Sequence, residues 1–442
     1  MKGAQLQSEK GVADSGYEAR EGQNVLGDEL VPTANPQKRS GMRVLTFTSL
    51  FPNSVISSHG VFVYRRVEAT ARVAGLDAEV IAPIPYSPKW LSNERWKRLS
   101  GVPVSESISG LRVHHPRYPL LPKISMQMHG LLMYLGARKL ALRLHNQRPF
   151  DCIDAHYVYP DGFAAVMLGK LLGIPVVVSA RGTDINLFPS FPTIRPMILW
   201  TLRNCSGIIA VSEALKRRMI ELGVPEEKIQ FIGNGVETEL FRVRDRQETR
   251  RRLGLPEDAR ILVSVASLRE SKGHQHVIAA LAEIVPRHPE LKLYIVGEGD
   301  DRARIERQVK EIGLHERVIL VGNRKNEEIP LWFNAADASI LASSQEGWPN
   351  VILESLACGT PVIGTPVGQI PEILHSGDLG ILCKQDAGAI ASAIESALSQ
   401  IWDREKLSRF AHGRPWSKVA EEMESYLATV VGGAKAAKAG TP

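Results

Sequence analysis

From Met42 onward, short apolar, often β-branched runs alternate with longer stretches in which apolar residues recur every three or four positions. The first pattern suits buried strands and the second amphipathic helices. Runs at 43–49, 78–82, 152–156, 175–180 and 207–211 predict strands. Stretches at 61–74 (stopped by Gly75), 126–144, 162–172 and 213–222 predict helices. The segment 87–104, with Trp90, Trp96 and several bases, reads as an exposed loop or short helix. A charged, helical-looking linker at 242–253 follows. The alternation then restarts with predicted strands at 261–266, 291–296, 318–321, 338–341 and 361–364. Strand–helix repeats of this kind build parallel sheets covered on both faces. The fold class is therefore α/β, with two doubly wound, Rossmann-like domains. The expected division is a disordered tail at 1–40, an N-terminal domain at 41–240 and a C-terminal domain at 241–412. An amphipathic helix at 416–431 would pack back on the first domain, ahead of a flexible tail at 432–442. Met42 opens the first strand so cleanly that translation is expected to start there.

Composition narrows the class without choosing a chemistry. At 44% hydrophobic and 23% charged residues, this is a folding chain rather than a disordered one. Its longest apolar runs, such as Ile174 to Val178, are strand-length, far short of the roughly 20 residues that span a bilayer. The first forty residues lack the apolar core of a signal peptide, so a cytoplasmic address is expected. Cys152, Cys205, Cys358 and Cys383 are widely separated, which suggests neither a disulfide framework nor a zinc site. The net charge of +6 is uneven. Residues 41–240 hold 23 Lys and Arg against 15 Asp and Glu, while 241–442 hold 26 against 27. A basic first half suits nucleic acid, an anionic membrane surface or a phosphate-bearing substrate. It lacks the interleaved aromatics of a single-strand binder, so no nucleic acid partner is expected.

The densest chemistry lies in Ser343-Ser344-Gln345-Glu346-Gly347-Trp348-Pro349-Asn350-Val351-Ile352-Leu353-Glu354, continuing to Ala357-Cys358-Gly359-Thr360-Pro361-Val362. It reads as a strand end, a glycine turn and a helix start, whose free backbone N–H groups suit an anion. Glu346 precedes the helix, and Glu354 lies about two turns further on. Two readings stay open on spacing alone. The carboxylates accept sugar hydroxyls, or Glu346 caps the helix and Glu354 is solvated.

This string resembles the EX7E motif of family 4 retaining glycosyltransferases, whose first Glu meets the donor sugar and whose second meets the nucleotide ribose. Ala210-Val211-Ser212-Glu213 with Asn234-Gly235-Val236 and Phe241, Val296-Gly297-Glu298-Gly299, and Phe51-Pro52 through Gly60-Val61-Phe62 resemble further family segments in the same order. The likeness covers roughly residues 42 to 430. It implies the GT-B fold, two Rossmann-like domains facing each other across a cleft. It also implies transfer of a sugar, with retention, from a nucleotide-sugar donor to a hydroxyl of a glycan or lipid-linked acceptor, as in polysaccharide biosynthesis.

The resemblance assigns the remaining site residues. Where the family reads GRLxxxKG, this chain has Ala266-Ser267-Leu268-Arg269-Glu270-Ser271-Lys272-Gly273. Lys272 and Gly273 fit. Ser267 stands in place of the usual Arg, and Arg269 is the candidate to replace it. His156 matches a histidine near the transferred sugar, so His156, Glu346, Lys272 and Arg269 form the expected catalytic set. Gly60, Gly297, Gly347, Asn350, Val351 and Glu354 would join Lys272, Arg269 and Glu346 in holding the donor. Arg181 and Asp184, after the strand at 175–180, face the cleft in this reading and serve an anionic acceptor or a donor phosphate, or simply pair with each other. With no D-x-D pair, no metal or other cofactor is expected; Asp300-Asp301 reads as helix-start charge. The basic, apolar segments Lys89-Trp90, Trp96-Lys97-Arg98 and 126–148, with Leu131, Leu132, Met133 and Leu135 beside Arg138, Lys139 and Arg143, suit a peripheral site on an anionic inner membrane face. The rival readings are a nucleotide-sugar epimerase on the same fold and a non-catalytic anion-binding module.

Overall fold

A computed structural model describes residues 41–57, 59–86, 99–120 and 126–439. The expectations for the 1–40 tail, for Lys89-Trp90 and for Trp96-Lys97-Arg98 lie outside the described residues. Two separate sheets carry the chain. The first is built from β1 (Arg43–Phe47), β2 (Asp77–Ile81), β4 (Ser105–Ile108), β5 (Leu111–His114), β7 (Cys152–His156), β8 (Val176–Ala180), β9 (Gly207–Ala210) and β10 (Ile229–Phe231). Its strand order is β10-β9-β8-β7-β1-β2-β5-β4, parallel except for the β4–β5 hairpin at the edge. A small pair, β3 (Ile84–Tyr86) with β6 (Arg117–Pro119), lies beside it. The second sheet has the order β13-β12-β11-β14-β15-β16 and is parallel throughout. Its strands are β11 (Arg260–Val265), β12 (Leu291–Val296), β13 (Val318–Gly322), β14 (Ala338–Leu341), β15 (Val362–Gly364) and β16 (Gly380–Leu382).

The central strands are buried on both faces. β1, β7 and β8 have no exposed residue, as parallel strands sandwiched by helices require. In both sheets the order reverses beside the first strand, β1 or β11. The loops leaving β1 and β7, and β11 and β14, therefore diverge and open a crevice at the strands' carboxyl ends. The site is built there.

The chain crosses between lobes twice. After β10 it runs out through Val236, whose N–H donates to the Arg414 carbonyl at 3.0 Å on the returning segment. The final helix, Trp416–Ala439, then packs against Val61–Val73 of the first lobe. Its Val419, Met423, Leu427 and Val431 recur at helical spacing and are buried against Val44, Cys152, Val177 and Ile209. That seam continues to Val431, and the helix runs eight residues further.

Candidate active site between the lobes

The second lobe's contribution follows from one glycine. Gly273 takes φ +72°, and a Cβ there would lie 1.9 Å from the Ala342 carbonyl oxygen. Only glycine lets the loop after β11 press onto the end of β14. Ser344 N–H donates to the Ser271 carbonyl at 2.8 Å across the same contact. Lys272 is thereby carried to Glu346: Nζ lies 2.6 Å from Oε1, and Ser343 Oγ donates to the same oxygen at 2.7 Å. Glu346 thus accepts from two groups at one oxygen. Arg269, on the same loop, is exposed and lines the cavity with Ser267.

The first lobe's wall rests on a buried polar stack. β7 delivers Asp154 and His156 and β8 leads into Arg181; His156 is fully buried and Asp154 nearly so. Arg181 Nη2 donates to His156 Nδ1 at 2.5 Å, and His156 Nε2 lies 3.2 Å from Asp154 Oδ2. A guanidinium only donates, so Nδ1 accepts, the imidazole is neutral and its proton sits on Nε2 toward Asp154. Burial, joined by the charge of Arg181, moves the His156 pKa down to about 4 against the opposing pull of Asp154. Burial likewise brings Arg181 down to about 10.

Three inter-lobe contacts join these walls. A Cβ at Gly347 would lie 2.2 Å from the Arg181 carbonyl oxygen, so the turn after β14 touches the loop after β8 backbone to backbone. Asn234 donates to Asn350 Oδ1 at 2.9 Å while its own Oδ1 accepts from Arg66 at 2.9 Å and Arg181 at 3.3 Å. Trp348 lies over Gly233, where a Cβ would meet its ring at 2.1 Å. The cavity between them, about 240 Å³, is lined from one side by Phe62, Arg181, Thr183 and Asn234, and from the other by Arg269, Lys272, Glu346, Gly347, Trp348 and Asn350. A second cavity of about 160 Å³ adjoins it at Phe62 and Asn350 and holds Gly60, Arg65, Glu237, Phe241 and Glu354. Burial, then the charge of Glu237, pushes Glu354 up to about 7. It is half-buried, which removes the reading of a solvated carboxylate.

Lys272, Arg269, Glu346, Gly347, Asn350 and Arg181 therefore meet in one cavity, and Gly60 and Glu354 in its neighbour. Four expectations need correction. His156 does not reach the cavity, because Arg181 covers it. Asp184 neither faces the cleft nor pairs with the Arg181 guanidinium. Fully buried, it accepts the N–H groups of Val158 (2.8 Å), Gly182 (2.8 Å) and Arg181 (3.1 Å), tying the loops after β7 and β8 together. Gly297 is absent from both cavity walls; a Cβ there would lie 2.0 Å from the Ala266 carbonyl oxygen, so it serves loop packing. Gly60 is glycine for a similar reason: a Cβ would strike the Leu50 carbonyl at 2.3 Å. Val351 packs its side chain against the second lobe's core instead of lining either cavity.

Arg66 and Asn234 were missed as site residues. Arg66 is an ordinary-looking helix cation in the sequence, yet it is fully buried, donating to the Ile232 carbonyl and to Asn234. Asn234 had a signal, since it sits in the Asn234-Gly235-Val236 string.

The comparisons agree with this geometry. Residues 59–240 match the family model described as Glycosyltransferase Family 4, and residues 245–414 the one described as Glycosyl transferases group 1. The chain is 31% identical to N-acetyl-alpha-D-glucosaminyl L-malate synthase of Bacillus anthracis, over 62% of this chain and 71% of the relative. It is 27% identical to the putative teichuronic acid biosynthesis glycosyltransferase TuaC of Bacillus subtilis, over 90% and 97%. Among solved structures it resembles sucrose-phosphate synthase of Thermosynechococcus elongatus (TM-score 0.72, 20% identity, 88% of this chain and 99% of that one). It also resembles Anabaena HepE in complex with UDP (TM-score 0.67, 18% identity, 88% and 100%). With two Rossmann-like lobes closing on one polar cavity, the protein is a GT-B enzyme, and it belongs to the family 4, group 1 glycosyltransferases.

Proposed function

We propose that this enzyme moves a sugar, with retention at the anomeric carbon, from a nucleoside diphosphate donor to a hydroxyl of a glycan or lipid-linked acceptor in cell-surface polysaccharide synthesis. The observation that carries the reading is the Lys272–Glu346 contact of 2.6 Å inside the inter-lobe cavity. It sets a cation for a phosphate beside a carboxylate for sugar hydroxyls. In this reading the diphosphate lies on Lys272, Arg269 and the uncapped start of the helix Asn350–Ala357. Arg269 takes the place of the Arg missing at Ser267. Glu346 accepts from the sugar and Glu354, one cavity away, from the ribose. UDP is the nucleotide to test first, since the Anabaena neighbour is described with UDP and with UDP-glucose.

Among the described residues, Glu346 is the only carboxylate on the wall of the main cavity, and Lys272 and Ser343 already occupy one of its oxygens. That argues against a carboxylate nucleophile and for attack on the face the leaving group departs from. The acceptor oxygen bonds to the anomeric carbon as the carbon–oxygen bond to the diphosphate breaks. The acceptor's proton passes to the departing phosphate oxygen. Fixed cations aimed at the charge that develops there lower the barrier without a metal. Lobe contact at Gly347 would keep water from the donor.

No described helix is long and apolar enough to cross a membrane. We place the enzyme in the cytoplasm, peripheral at the inner membrane face. The support is four free cysteines and exposed Met126, Met128 and Leu135 near Arg138, Lys139 and Arg143. Met133 is fully buried and takes no part. The deciding experiment is a thermal-shift screen of UDP-, GDP- and ADP-sugars, followed by NMR of the product's anomeric configuration. Release of the free nucleotide without glycoside, or an inverted product, would refute the proposal.

A further inference from the structure

Arg181 is the cavity cation that the donor does not account for. Lys272 and Arg269 stand on the second lobe, where the donor is placed, and Lys272 already has Glu346 as partner. Arg181 enters the same cavity from the opposite lobe. Its acceptors, His156 Nδ1 and Asn234 Oδ1, are both neutral. Among the described residues no carboxylate pairs with its side chain: Asp184 is spent on backbone amides, and Asp154 lies beyond His156. A guanidinium has five N–H donors. Two are used here, and Nε is buried without a partner. The Phe62 ring, 5.5 Å from Cζ, flanks it. The group is thus held in one orientation from behind and left unneutralised toward the cavity. Such a fork fits the paired oxygens of a carboxylate or phosphate.

Resting on the glycosyltransferase reading above, we propose that Arg181 is the specificity determinant for an acceptor with an anionic group, carboxylate or phosphate, near the hydroxyl that attacks. The neutral His156 behind it is a positioning residue. It accepts from Nη2 without cancelling the charge, which a carboxylate in the same place would do.

The test uses three monosaccharide probes that share a ring and differ at C6: D-glucuronate, glucose 6-phosphate and glucose. Each is titrated calorimetrically into the full chain saturated with UDP. At least one anionic probe should bind about tenfold or more tighter than glucose, and which one does so separates carboxylate from phosphate. Arg181→Gln should reduce that preference to within about twofold and leave UDP affinity unchanged, while Arg181→Lys should keep part of it. Equal binding of all three probes, absence of binding by any, a preference that survives Arg181→Gln, or an equal loss of UDP affinity would each overturn the assignment. If the chain binds no UDP, GDP or ADP, the donor reading fails instead, and the probes then report on Arg181 in the nucleotide-free chain. Should Arg181→Gln fail to fold, as judged by circular dichroism, Arg181→Lys against the wild type decides.

Discussion

Lys272 Nζ and Glu346 Oε1 meet at 2.6 Å although 74 residues separate them, because Gly273 seats one loop on the strand end that launches the other. The pair is partly solvent-accessible, with side chains 24% and 10% exposed, so its worth to folding is small. Its place in the cavity argues for catalysis. Lys272→Ala should cut kcat by about 10²- to 10³-fold, the usual loss for one preorganised donor at developing charge. Its melting temperature should stay within a few degrees. Glu346→Ala should lose comparable turnover. Near-normal rates in either variant, measured as nucleotide release, would refute these roles. Chelation with EDTA should leave the wild-type rate within about twofold, since the proposed stabilising charges are side chains.

Gly347 makes a different prediction, because it acts on the join between lobes. A Cβ would stand 2.2 Å from the Arg181 carbonyl oxygen, so Gly347→Ala must part the two loops. A misplacement of about 1 Å at a reacting centre costs on the order of 10²-fold. We expect that loss in kcat/KM, with little change in the urea midpoint because neither lobe's core is touched. Gly377→Ala, where an added Cβ meets nothing within 4 Å, is the control and should be silent. If both variants behave alike, contact at Gly347 is not what aligns the walls.

The contrast between these two glycines shows where sequence reading ends. The strand–helix alternation placed the central strands, and 152–156, 291–296 and 338–341 coincide with β7, β12 and β14. Short edge elements escaped: β3, β6 and β10 have three residues each, too few to show a period. The site was legible where one loop holds the chemistry, as at Glu346 to Asn350. It was not legible where burial decides. His156 lies under Arg181, and Asp184 turns onto three amides, because distant loops after β7 and β8 cross there. Nothing in local spacing separates a cleft-facing histidine from one covered by an arginine.

That covered histidine predicts a pH effect. The folded-state pKa of His156 is about 4, against 6.5 when exposed, with burial the leading cause. Between these values the unfolded chain binds a proton that the folded chain does not, so stability contributed here falls as pH drops through the window. His156→Gln keeps an acceptor for Arg181 but cannot titrate. Between pH 7.5 and pH 5 the wild type should lose about 2 kcal/mol more unfolding free energy than the variant. Comparing the variant with the wild type cancels the other buried groups, including Asp161 and Glu354, which burial pushes up to about 7. Urea unfolding at both pH values measures the difference. Parallel curves would mean that His156 is not held neutral by the fold.

The membrane proposal rests on one face of the first lobe and can fail cleanly. Met126, Met128 and Leu135 are 48%, 52% and 42% exposed, and Arg138, Lys139 and Arg143 are exposed on the helix His129–Gln147. Apolar side chains among cations can insert at a headgroup boundary while the charges meet anionic lipid, each basic residue adding about 1 kcal/mol near the surface. The chain should therefore float with vesicles of phosphatidylglycerol and phosphatidylcholine at low salt, and not with phosphatidylcholine alone. Screening shortens the reach of such charges to about 8 Å at physiological ionic strength, so added salt should weaken the association. Arg138→Glu combined with Lys139→Glu should reduce flotation by about tenfold or more, because two attractive contacts become repulsive. Both residues lie outside the cavity walls, so turnover of a soluble acceptor should be unchanged. Flotation equal in the double variant and the wild type would place the membrane contact elsewhere, and no flotation of the wild type at low salt would remove it.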